Sequence, residues 1–155
     1  MGNAIVYLPA RMALLLLDSL PGFAPYSTAA YDPEIINLVA KRDPTATLPS
    51  VVVGDFDGDG QSDVAMIGIS RDSIAGVMLL TNASDARGPM LLFMNRPRPS
   101  GSSRKSYVVL RIADKEMLFK ELKLHRDAVE EESVGQGAVV FYVERGVLRQ
   151  LQTSD

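Results

Sequence analysis

The chain has 155 residues, 46% of them hydrophobic, with 19 acidic and 16 basic side chains and a formal net charge of -3. That length fits one domain around a single core, and the near balance of charge excludes a general polyanion-binding surface, so no nucleic-acid partner is expected. The absence of cysteine excludes disulfide staples and thiolate metal sites.

In chain order, residues 10 to 20 hold good helix formers, including Ala10, Met12 and the leucines that follow, and Pro21-Gly22 ends them, which predicts a short helix. Its apolar run, Met12 to Leu17, is stopped by Asp18. It is too short for a membrane span, which needs about 20 residues, or for the core of a signal peptide. A core-packing helix is expected, with no membrane span and no signal peptide visible. Residues 32 to 42 predict a second helix: Asp32 at the N-cap, Pro33 in the first turn, an apolar side formed by Ile35, Ile36, Leu38 and Val39, and Lys41 and Arg42 at the end.

After Pro49 the character changes. Val51 to Val53 and Val64 to Ile69 predict two strands flanking an acidic loop, followed by strands at Ala75 to Leu80 and Met90 to Met94 around a polar turn at 82 to 88. Residues 95 to 106 are expected as a mobile basic loop, and Tyr107 to Ile112 as a strand. Residues 114 to 123 are ambiguous between helix and strand, and a strand is placed at 121 to 131. Ala138 to Val143 and Val147 to Thr153 form a hairpin around Glu144-Arg145-Gly146. The expected fold is α+β: short N-terminal helices, then a mainly antiparallel sheet with a Ca²⁺-binding hairpin loop. One domain covers 1 to 155, helical over 1 to 48 and mainly β over 49 to 155.

The chemistry concentrates at 55 to 63, Asp-Phe-Asp-Gly-Asp-Gly-Gln-Ser-Asp. Carboxylates fall at loop positions 1, 3, 5 and 9 and a glycine at position 6, the spacing at which a short loop wraps Ca²⁺. Asp55, Asp57, Asp59 and Asp63 would supply side-chain oxygens and Gln61 its carbonyl, with Gly60 permitting the sharp turn. These four aspartates account for the whole acidic excess of the chain, since 15 acidic and 16 basic residues remain without them. Crowding them without an ion is costly, because two unit charges at about 4 Å repel by about 4 kcal/mol at an effective dielectric of 20. An EF-hand is excluded: its twelfth position should be Glu and is Met66 here, and the flanks are strand-like.

The stretch from Val53 to Ala65, Val-Gly-Asp-Phe-Asp-Gly-Asp-Gly-Gln-Ser-Asp-Val-Ala, resembles the calcium loop of FG-GAP/VCBS repeats, the integrin-like propeller blades. The resemblance covers about residues 50 to 69 and implies Asp55, Asp57, Asp59, the Gln61 carbonyl and Asp63 as Ca²⁺ ligands. A single copy does not imply a propeller, which needs several blades. The ending, with Tyr142, Gly146 and Thr153-Ser154-Asp155, is also similar to the tail of small bacterial proteins with one such loop near their middle. These resemblances imply a non-enzymatic calcium-binding module, extracytoplasmic (periplasmic or secreted), which could support a protein or glycan partner.

The alternative is enzymatic. A hydrophobic strand running into Asp-x-Asp-Gly resembles the first motif of haloacid-dehalogenase-like phosphotransferases, which would make Asp55 a nucleophile and Asp57 an acid/base beside Mg²⁺. That family implies a parallel α/β sheet, whereas the sequence after residue 64 offers strand-like runs and turns. Elsewhere, His125 is expected as a surface strand residue, Glu130 to Glu132 as a solvated face, and Tyr26 and Tyr31 as core packing.

Overall fold

The computed structural model describes residues 7–44, 48–70, 73–81, 85–86, 88–97 and 106–153, with the backbone alone for 93–97. The described residues form three α-helices and two antiparallel sheets, an α+β arrangement. Where one sheet was expected there are two. The first holds β1 (Ala24–Pro25), β2 (Val51–Gly54), β3 (Asp63–Ser70), β4 (Ser73–Leu80) and β5 (Met90–Pro97), in the order β1-β3-β4-β5 with β2 also paired to β3. The second runs β6 (Val108–Ile112), β7 (Val129–Ser133), β8 (Gly137–Glu144) and β9 (Val147–Thr153) in sequence order.

The sheets stack because β3 and β4 are apolar on both faces. Ala65, Ile67, Met78 and Leu80 point inward and meet Leu110, Val129, Phe141 and Val143 of the second sheet. The intervening Val64, Met66, Val77 and Leu79 point outward, as the two-residue strand period requires. That outer face is covered by α1 (Ala10–Ser19), whose Met12 is 2% exposed, while Leu14 and Leu17 face away from it. Each such buried side chain contributes about 1.5–3 kcal/mol. The run Met12 to Leu17 is thus a sheet cover, and among the described residues no helix is long and apolar enough to cross a membrane.

Helix α2 (Pro33–Arg42) packs Ile35 against Tyr31 and Val109, and its Arg42 Nη1 lies 2.6 Å from Glu132 Oε2 on β7. Tyr31 is core, as expected, and its hydroxyl donates to the Val108 carbonyl. Burial pushes that phenol well above its ordinary range, partly offset by hydrogen bonds with Ser106 and Ser50.

Several expectations fail. The strand placed at 121 to 131 is instead the end of a helix, α3 (Lys115–Leu122), a connection, and the start of β7. Asp114 caps the helix by accepting the Met117 N–H at 2.9 Å, and Leu118 is buried against Ala113, Ala128 and Val140 on the outer face of the second sheet. The helix ends on Lys123 in the left-handed region (φ 56°), where glycine is the usual residue. His125 lies in the following connection, exposed and 5.1 Å from the Phe119 ring, and not on a strand.

Glu130 and Glu131 are buried at 7% and 5% exposure rather than solvated, because β7 is an inner strand. Glu130 sits directly opposite Arg111, with which it forms an ion pair. The basic loop is shorter than expected, since β5 runs through Pro97 and Ser106 is buried in a bridge with Tyr31. Residues 98–105 lie outside the described residues, as do 82–84 and 87 of the turn expected at 82 to 88. The C-terminal hairpin turns on two residues rather than three, Arg145 and Gly146, both at positive φ as a type I′ turn requires.

The short strand β1 depends on one glycine. A Cβ on Gly68 would lie 2.1 Å from the Ala24 carbonyl oxygen, so no other residue lets β1 lie against β3 here.

Candidate metal centre

The acidic loop closes the β2–β3 hairpin. Gly54 and Asp63 are the last paired residues, and residues 55 to 62 span the gap. Phe56 turns inward and is fully buried between the sheets. Its ring passes so close to Gly54 that a Cβ there would meet it at 2.8 Å.

The aspartate side chains fold the loop back on itself. Asp55 accepts the N–H of Gly58 at 2.8 Å and of Gly60 at 3.1 Å, Asp57 that of Asp59 at 3.0 Å, and Asp59 that of Gln61 at 2.8 Å. These are the short-range side-chain-to-backbone bonds that aspartate favours in turns. Gly58 and Gly60 take φ of +83° and +82°, which a Cβ would resist.

Asp63 is 0% exposed and organises the rest. One of its oxygens accepts the N–H of Phe56 at 2.8 Å and of Asp57 at 3.3 Å, and the other accepts the Thr81 N–H at 2.8 Å. The Thr81 hydroxyl lies 3.2 Å from Asp63 and 3.4 Å from Asp59, and its one proton serves one of them at a time. A carboxylate has about four acceptor positions, so Asp63 is close to saturated while Asp55 and Asp57 retain capacity.

Of the five expected ligands, Asp55, Asp57 and Asp63 converge, with carboxylate oxygens within 4.8 Å of one another. Two oxygens bound to one Ca²⁺ at about 2.4 Å can be at most about 4.8 Å apart, so the group has the right span for a single ion. Asp59 is turned toward Thr81, and Gln61 is exposed. Outside the loop, an open cleft of about 340 Å³ reaches Asp57 and Asp59 from the side of Arg126 and the Arg145-Gly146 turn.

Three participants went unread in the sequence: Thr81, Arg126 and Asp127. Thr81 follows the end of β4, and Arg126 and Asp127 lie in the α3–β7 connection. Asp127 accepts the Asp55 N–H at 3.0 Å and returns its own N–H to the Asp55 carbonyl at 3.1 Å. Arg126 Nη1 donates to the Asp57 carbonyl at 3.1 Å. No local pattern marks them, because Thr81 reaches the loop through the β3–β4 pairing and Arg126 and Asp127 reach it through the stacking of the sheets.

Burial raises the Asp57 carboxyl above the ordinary aspartate value of 3.8, and the charges of Asp63, Asp59 and Asp55 add to the rise against the opposing Asp59 N–H bond. Burial also raises Asp63, against the donors from Thr81, Phe56 and Asp57. From 3.8 up to those raised values the folded state therefore binds more protons than the unfolded one. Through that window these two groups make the ion-free protein less stable as pH rises. On protein freed of metal beforehand, the urea midpoint of wild type relative to Asp57→Asn is expected to fall with rising pH there. A wild-type midpoint that climbs through the window, with the variant indistinguishable from it, would contradict this charge crowding.

Comparison with protein-family models, curated proteins and solved structures gives no match.

Proposed function

We propose that the protein is a calcium-binding module in which Ca²⁺ held at 55 to 63 stabilises the β2–β3 hairpin. The observation that carries this is the convergence of Asp55, Asp57 and Asp63 within 4.8 Å. Burial raises both Asp57 and Asp63, and at Asp57 the charges of Asp63, Asp59 and Asp55 add to the rise; a divalent ion relieves that repulsion. Asp59 and the Gln61 carbonyl complete the ligand set, as the FG-GAP-like pattern of residues 53 to 65 implies, and the same pattern supports Ca²⁺ over Mg²⁺. The phosphotransferase alternative gains no support from a fold whose named strands all pair antiparallel.

Calcium at a hundredfold excess over its Kd is expected to add about 2.7 kcal/mol of stability, which for a chain of this size raises the melting temperature by about 5–10 °C. Melting in millimolar Ca²⁺, in Mg²⁺ and in excess chelator tests this. Identical curves in Ca²⁺ and chelator would end the proposal, and a larger shift with Mg²⁺ would reassign the ion.

A further inference from the structure

We infer that Arg126 and Asp127 are positioning residues for the first two ligands of the loop, so that the affinity of the cation site is set from the α3–β7 connection. The inference rests on reading residues 55 to 63 as a cation site. Its ground is the way two ligand residues are held by their backbones while their side chains remain turned toward the site. Asp55 is clasped from both sides by Asp127: its N–H reaches the Asp127 carboxylate at 3.0 Å, and its carbonyl receives the Asp127 N–H at 3.1 Å. Asp127 is itself steadied by Lys115 Nζ, 3.1 Å from its other oxygen, at the first residue of α3.

Arg126 does the same for Asp57. Its Nη1 donates to the Asp57 carbonyl, and its stem lies 3.4 Å from where Gly58 would carry a Cβ, so the guanidinium is packed on the loop as well as bonded to it. Arg126 Nε is buried with no hydrogen-bond partner among the described residues. Four carboxylates left to themselves would spread apart. Backbones fixed at positions 1 and 3 keep Asp55 and Asp57 converged, which lowers the ordering that an ion must impose.

Outer contacts of this kind alter metal affinity by about 10- to 100-fold. Calcium titration of the full chain by calorimetry, at a temperature where circular dichroism shows every variant folded, is expected to give binding weakened about 10- to 100-fold in Asp127→Ala and Arg126→Met. Asp127→Asn keeps an oxygen for the Asp55 N–H and should bind within a few-fold of wild type. The sign for Arg126→Met separates position from charge, because removing a positive charge alone would tighten binding of a divalent cation. Arg126→Met keeps the stem on Gly58 and carries the test by itself if Asp127→Ala does not fold. As a second readout, Ca²⁺ should slow amide exchange at 126–129 in wild type and not in Asp127→Ala. If wild type binds no Ca²⁺, the cation reading fails first. If it binds and both variants bind within twofold of it, or Arg126→Met binds more tightly, the positioning role is overturned and the cation reading survives.

Discussion

Replacing Asp63 with alanine is expected to cost about 3–5 kcal/mol of folding free energy even in excess chelator, since it leaves several donors without their acceptor at about 1–3 kcal/mol each. The fully buried carboxylate accepts the N–H groups of Phe56, Asp57 and Thr81, with the Thr81 hydroxyl close by. Alanine leaves these donors facing a space without an acceptor. Part of the loss is offset, because the carboxylate is itself disfavoured by burial, as its raised pKa indicates, but several open donors outweigh one desolvated acceptor. Asp63→Asn should fall between, since it retains one acceptor oxygen and turns an amide toward the other donors. Urea unfolding in chelator measures both, and a loss under about 1 kcal/mol for alanine would mean that the loop is organised by something else.

The second large effect is expected at Phe56. It is 0% exposed and packs with Ala65, Ile67, Met78 and Val143, at the level where the two sheets meet. Phe56→Ala should cost about 3–5 kcal/mol from lost burial and the cavity left behind. The consequence for the site is separate. Phe56 lies between Asp55 and Asp57, so freeing its side chain frees both ligand backbones, and the stabilisation by Ca²⁺ should shrink along with the baseline. Phe56→Leu, which fills much of the volume, should restore most of both quantities. A Phe56→Ala protein that melts much lower but gains as many degrees from Ca²⁺ as wild type would show that the anchor serves stability alone.

The parts of the fold that read correctly are those governed by local rules. Pro33 and the Lys41-Arg42 ending place α2 at Pro33–Arg42, and continuous apolar runs place β3, β4 and β8 to within about two residues of their observed ends. What failed depended on partners distant in sequence. Helix α3 lacks the expected glycine stop, since Lys123 takes the left-handed position, and Leu122 and Leu124 imitate a strand alternation. Glu130 and Glu131 look solvated until Arg111 comes to face Glu130 across β6–β7. β1 is two residues long and exists only because Gly68 admits it.

The candidate site divides in the same way. The converging Asp55, Asp57 and Asp63 lie within nine residues, and their spacing is legible directly. Thr81, Arg126 and Asp127 come from 18 to 72 residues away. They could not be named before β4 was paired with β3 and the sheets were stacked.

The place of Asp63 has a further consequence. It is the first residue of β3, stands opposite Gly54 of β2, and takes its third backbone donor from Thr81, just past β4. Its side chain therefore acts as a key that fits only one alignment of three neighbouring strands. A slip of β3 by a single residue would put Val64 in the keyhole and exchange the two apolar faces of that strand, moving the layer meant for α1 into the space between the sheets. Strands as uniformly apolar as β3 and β4 carry little alternation of their own to forbid such slippage. In this protein an acidic loop supplies the alignment that two nearly all-apolar strands leave undetermined.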